Sequence, residues 1–430
     1  MSYMLTTTST EYDEARLGFQ RRDPHRPQVI FQVTSAAEIE EAVRYAIDHD
    51  LKLAVQAAGH GLTAGIDGGV LIATSGFNGV TVDAERKTAW IEAGATWRAV
   101  IAATAPHGLA PLSGSSPAVG AISYTLGGGL GLMARRYGYA ADHVRRIEVV
   151  TPDGVRRNAE DDPDLFWALR GGGGNFGVVT GIEVELFDVP TLYGGSLYFD
   201  LAEHPSVPEA WRAWTATVPE EVTSAIAILP IPDLPQVPEQ VRGKYVAQVQ
   251  LAILGDRGAE LIEPLRAIGT PAIDTVGELP YAESGAIFAE PDHPDSYSSR
   301  NVLLSSLDPD ALATLPKLAG PGAAGMCIIG IRHLGGALER DPELPNAIGH
   351  RDAAYSLTVL TPRQADATPL HRRVLEPWRA EVVGLSLNFS VGNLTADEVA
   401  EAYDPGDHKR LTDLRRRYDP SRRLWANHQL

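Results

Sequence analysis

The 430-residue chain has a single cysteine, Cys327, which excludes an internal disulfide framework and a thiolate metal cluster. It also lacks a basic excess. Lys and Arg total 37 against 55 Asp and Glu, so the formal charge is 37 − 55 = −18. Such a surface is not built to neutralise phosphates, and nucleic acid is excluded as the expected partner. No apolar run approaches the length of a membrane span. The opening residues lack a basic segment followed by an apolar one, so no signal peptide is expected and a soluble cytoplasmic protein is. The histidines show no HExxH-type spacing, which gives no reason to expect a metal. There is no GxxxxGK[ST]. Gly114-Ser-Ser116-Pro-Ala118 misses GxSxG at its last position, so a serine hydrolase is disfavoured.

With 44% hydrophobic residues the chain can bury a sizeable core, enough for two or three domain-sized units. The first half alternates helical and strand patterns. Ser35 and Glu38 form a capping box ahead of an apolar stripe at Ile39, Ala42, Val43, Ala46 and Ile47. Strands are expected at 51–56, 70–73, 89–92, 147–151 and 178–186, and a helix at 96–104. Asp162-Pro163 reads as an N-cap and first-turn pair opening a short helix that Gly171 ends. The small-residue stretch 113–131 is not expected to be regular throughout. Composition shifts near 190. Beyond it, alternating segments at 244–253, 326–332 and 354–360 predict an antiparallel sheet, with helices such as 208–217 on one face. Helical patterns return after 394.

Glycines concentrate in three loops, within 55–65, 113–131 and 169–177. Glycine lets main-chain N–H groups approach an anionic pyrophosphate without a Cβ clash. One such loop is usually only a turn; three favour a phosphate-bearing cofactor. The stretch from Gly172 to Gly177 matches GxGxxG in form, but a helix precedes it and a strand follows, the reverse of the dinucleotide fingerprint.

These loops carry a resemblance. VQAAGHGLTAG (55–65), SGSSPAVGAISYTLGGGLG (113–131), LRGGGGNFGVVTGIEVEL (169–186) and the closing RLTDLRRRYDPSRRLWANHQL are similar to motifs of the vanillyl-alcohol oxidase superfamily, PCMH-type flavoproteins, in the berberine-bridge-enzyme-like branch. The resemblance implies an α+β fold. A two-part FAD-binding domain comes from residues 1–190 and 392–430, and a substrate domain of antiparallel sheet and helices, 191–391, is inserted between them. It implies FAD as cofactor, joined covalently through His60; a histidine that merely lines the loop is the alternative. Many relatives add a second link from a cysteine, but Ser116 stands there in this chain, so a single attachment is expected. The implied FAD-contacting residues are Ala58, Gly59, His60, Gly61, Leu62, Ser116, Val119, Gly120, Ser123, Tyr124, Gly127, Gly174, Asn175, Gly177, Val178, Val179 and Asn388. Val119 occupies the position implied to lie by the flavin C4a face, where small residues accompany reaction with O2.

The base is less marked. A Y-x-N-Y motif of relatives is reduced here to Ser386-Leu-Asn388-Phe389. Tyr137, Tyr139, His350 and Tyr355 are the catalytic candidates, with Tyr124 and His333 as further substitutes. A substrate already ionised would need none. The expected activity is removal of hydride from a small organic molecule, a specialised metabolite, with O2 reduced to H2O2. A dehydrogenase with another acceptor, and a non-redox flavin scaffold, are the alternatives.

Overall fold

The computed structural model describes residues 3–323, 325–362 and 366–430. Four strands come first: β1 (Tyr3–Thr6), β2 (Val29–Gln32), β3 (Leu53–Gln56) and β4 (Val70–Ala73), ordered β1-β2-β4-β3. β4 runs parallel to both β2 and β3. The connection between β2 and β3 is the helix Ala36–Asp48, where Ser35 caps as its spacing predicts, accepting from the Glu38 N–H at 3.3 Å. Its Ile39, Ala42, Val43 and Ala46 pack on Val29, Phe31 and Ile72 of the sheet.

The next strands are β5 (Val80–Asp83), β6 (Thr88–Glu92), β7 (Leu109–Ala110), β8 (Val144–Val150), β9 (Arg156–Asn158), β10 (Val178–Glu185) and β11 (Phe187–Asp188). Five form an antiparallel sheet, β5-β6-β10-β8-β9, and β7 pairs β11. β10 is buried almost along its length, which explains its unbroken apolar reading. The helix Pro163–Ala168 opens with the Asp162 carboxylate accepting from the N–H groups of Asp164 and Leu165. Residues 113–131 are mostly loop around a short helix, Ala121–Leu126.

The remaining strands are β12 (Thr191–Asp200), β13 (Val222–Pro230), β14 (Tyr245–Ile253), β15 (Ile273–Asp274), β16 (Gly277–Pro280), β17 (Tyr297–Leu304), β18 (Ile328–His333), β19 (Tyr355–Pro362) and β20 (Val382–Gly384). They build one antiparallel sheet, β15-β12-β14-β13-β18-β19-β17-β20, with β16 beside β12. Alternate residues such as Leu197, Val249, Ile226, Ile331 and Leu357 pack against helices that contribute Trp211, Trp214, Leu265, Leu312 and Val374. The residues between them face the other way, toward the glycine-rich loops.

The C-terminal helix Pro405–Tyr418 is followed by a tail without regular structure. The tail runs beside β3: Leu53 N–H donates to the Arg423 carbonyl at 2.8 Å and Trp425 N–H to the Leu53 carbonyl at 2.7 Å. Buried Asp419 turns the chain into it by accepting from the N–H groups of Arg423 and Leu424. Among the described residues no helix is long and apolar enough to cross a membrane.

Candidate active site

β3 ends at Gln56 and releases the loop that carries His60. The carbonyls of Ala58 and Gly59 accept from the N–H groups of Phe19 (2.8 Å) and Gln20 (3.0 Å). Among the described residues no hydrogen bond is donated by the main-chain N–H groups of residues 57–63. The loop is thus held by its carbonyls while a run of amides stays unspent, an arrangement suited to an anion. Gly59 adopts φ +74°, and a Cβ there would come 2.7 Å from Gly18 Cα, so only glycine fits.

Two further loops meet this one. A Cβ on Gly120 would lie 3.5 Å from Ala57 Cβ, and the main-chain N–H groups of Ser116, Ala118 and Gly120 also donate to nothing among the described residues. The third loop joins through Leu126, whose carbonyl accepts from Gly171 and Gly173 N–H groups at 2.9 and 3.0 Å. Among the described residues the N–H groups of Gly174 and Gly177 donate to nothing, and a Cβ on Gly174 would meet open space. The Asn388 side chain donates to the Tyr124 carbonyl at 2.9 Å and packs on Gly127. The unspent amides and open glycines fit the pyrophosphate of a dinucleotide.

Not every expected contact residue offers its side chain. Leu62, Val178 and Val179 are buried apolar groups, so only their main chain is available to a cofactor. Asn175 spends its side-chain amide on the carbonyls of Gly172 and His428, both at 3.0 Å, and so fastens the C-terminal tail. Ser123 turns its hydroxyl back to the Gly120 carbonyl at 3.3 Å.

The His60 ring stacks on Phe19, centroids 3.7 Å apart, and hydrogen-bonds the Ala118 main chain. Burial pushes its pKa down to about 4, so the imidazole is neutral near pH 7 and keeps a nitrogen lone pair. Tyr297 donates to the His60 carbonyl at 3.1 Å, tying the loop to β17. The tail closes the other side: the Trp425 indole donates to Ala64 at 3.1 Å and Thr63 donates to the Asn427 carbonyl. Tyr297, Phe19 and the tail contacts have no local sequence signal, since each depends on distant segments meeting.

The four catalytic candidates are not brought together. The Tyr137 ring packs on Phe187 at 4.1 Å. Tyr139 is buried with Leu303, Leu334 and Leu338, under the Arg351 guanidinium at 5.1 Å. His350 binds the Glu401 carbonyl through Nε2 at 2.9 Å. The Tyr355 hydroxyl pairs with Thr215 at 2.6 Å on the helix-covered face, with the sheet between it and the His60 loop. Strand parity decides this last case, because Tyr355 shares its face with Leu357 and Val359. His333 stacks on Tyr355 and bonds Arg135. The substitute Tyr124 does lie at the loops, with its hydroxyl buried and without a partner among the described residues, but burial raises its pKa far above neutrality and makes it a poor base.

The other parity of β18 carries Arg332 into the site. Its NH2 group donates to Ser115 at 3.1 Å, and its guanidinium sits 4.6 Å from the Phe288 ring and 4.9 Å from Phe389. An arginine at the polar parity of a central strand was the available signal.

An FAD binding domain family matches residues 27–159 of the chain. (R)-6-hydroxynicotine oxidase of Paenarthrobacter nicotinovorans is 29% identical over 95% of this chain and 92% of its own length. An FAD-linked oxidoreductase of Dictyostelium discoideum is 25% identical over 92% and 86%. Along most of its length the chain is similar to FAD-linked oxidoreductases, and residues 27–159 carry an FAD binding domain. Solved structures share the fold. 6-Hydroxy-D-nicotine oxidase from Arthrobacter nicotinovorans superposes with a TM-score of 0.84 at 24% identity, covering 98% of this chain and 96% of that one. A berberine-bridge-enzyme-like protein of Physcomitrella patens gives 0.85 at 19% identity, covering 100% and 96%. The α+β fold is shared with these flavoproteins, and the chain carries an FAD binding domain.

Proposed function

We propose that this oxidoreductase is an oxidase holding FAD through one covalent bond, from the His60 imidazole to the flavin 8α carbon. Residues 1–190 and 392–430 form its FAD-binding unit, and residues 191–391 the substrate unit. The observation that carries the reading is a neutral imidazole beside a run of unspent amides. A neutral nitrogen would add to the 8α carbon with loss of one methyl C–H proton and the imidazole N–H proton, and O2 would take up the two electrons left on the flavin as H2O2. The residues called from sequence in the three loops orient the cofactor with main-chain donors, and Asn388 braces the helix behind Tyr124. Ser116 offers no thiolate, and Cys327 is buried among Ile329, Ile331 and the helices behind the sheet, so no second bond forms.

Bound FAD supplies hydride acceptance from a substrate carbon and, with O2, returns the electrons as H2O2. The chain's part is to position that carbon against the loops and to keep water out. The polar face of the nine-stranded sheet lies opposite the loops and forms the substrate side. Val119, half-buried and small, leaves room for O2. The substrate is a small organic molecule of the specialised-metabolite kind, which the named nicotine oxidase relative supports.

The test has two parts. Acid precipitation must leave the yellow colour in the pellet, and a reduced enzyme exposed to air must yield one H2O2 per flavin. Colour released to the supernatant ends the covalent claim. Slow reoxidation in air with no peroxide assigns a dehydrogenase instead.

A further inference from the structure

The loop-facing side of the nine-stranded sheet has a gap at its centre. Ala227 of β13 and Gly330 of β18 are paired neighbours, and a Cβ on Gly330 would meet nothing within 4 Å. Polar side chains flank the gap. Gln248 pairs with Ala227 on one side, and Thr358 pairs with Gly330 on the other. Two small residues in the middle strands of a sheet open a hollow that larger ones would fill.

Arg332 stands at the edge of this hollow, two residues along the strand from Gly330 and on the same face. The Phe288 and Phe389 rings both lie against its guanidinium, with centroids 4.6 and 4.9 Å from its central carbon. Among the described residues its only hydrogen-bond acceptor is Ser115. Glu290 approaches only to 4.0 Å and is 40% exposed, so water screens it and the pair leaves the fork open. A guanidinium has five donors, and a planar two-oxygen anion satisfies them two at a time.

We infer that the Gly330 hollow binds a planar organic carboxylate through the Arg332 fork. This rests on the flavin reading above and adds the substrate class to it. The two phenylalanine rings favour an aromatic body behind the anionic group.

Benzoate and its neutral isostere benzamide, titrated into the holoenzyme, test this through the flavin visible spectrum and the melting temperature. Benzoate is expected to bind saturably, roughly tenfold or more tighter than benzamide, the scale of a charge-assisted bidentate contact. Arg332→Gln should erase that preference and leave benzamide binding unchanged, and Arg332→Lys should restore part of it. Tighter binding of 4-nitrophenolate than of benzoate would overturn the carboxylate assignment. Equal binding of benzoate and benzamide, or an unchanged benzoate affinity in Arg332→Gln, overturns the inference. A lowered melting temperature in Arg332→Gln, with no benzoate preference in the native enzyme, makes the arginine only a clamp on Ser115 and also overturns it. Yellow protein without benzoate preference strikes this inference alone. Colourless protein strikes the flavin reading, while the melting shift still reports on benzoate.

Discussion

The His60 loop and the nine-stranded sheet solve recognition in opposite ways. The loop works with main-chain amides, and its side chains are small or turned away. The sheet works with side chains, set by alternation along each strand. A main-chain device needs glycines at fixed spacing, so it leaves a motif. A side-chain device needs only the right parity, which many residue types satisfy. The proposed cofactor side is therefore conspicuous in the chain and the proposed substrate side is not.

Four experiments test the contrast, beginning with the largest effect. His60→Ala should release all flavin colour on acid precipitation, against complete retention in the native enzyme. The fold should persist, because the loop is held by the Ala58 and Gly59 carbonyls rather than by the imidazole. Gly330→Leu fills the hollow. It should lower kcat/KM by about a hundredfold, equal to roughly 2.7 kcal/mol of lost transition-state binding, with flavin content unchanged. Loss of flavin in that variant would show that the two regions are not separable.

Acidification comes third. Burial holds His25 and His428 near the loops at about 4, and in the sheet unit His371 at about 4 and His333 at about 3. These folded-state values lie below the unfolded 6.5, so the unfolded chain takes up protons first. Stability should be level above pH 7 and fall as pH drops from 6.5 toward 4. For buried His25 the loss is on the order of 3 kcal/mol. Melting curves followed by flavin fluorescence and by tryptophan fluorescence would show whether the two regions fail together. The smallest effect is expected from Asn388→Ala, which leaves the Tyr124 carbonyl without its donor. A cost of about 1–2 kcal/mol in urea unfolding is expected, and no change in flavin attachment.

How far the chain could be read depends on the residue. Ser35, Asp162 and the strand at 70–73 carried local signals, and the structure places their elements within a residue or two. The loops around His60, Gly120 and Gly174 were legible because each is a cluster of glycines. Tyr355 misled because a tyrosine in a strand says nothing of which face meets the cofactor. Asn175 was legible as important but not in its role, since its partner at His428 lies 253 residues away.

By itself the chain determined where amides would be exposed, which histidine stands among them, and that no thiol accompanies it at Ser116. Those are properties of short segments, fixed by backbone sterics and side-chain chemistry. Only the tertiary structure decided that Arg332 rather than Tyr355 faces the loops, that Gly330 opens a hollow, and that the C-terminal tail closes over His60. Each of these depends on which strands pair and which face is covered by helices, and burial of the apolar parity settles both.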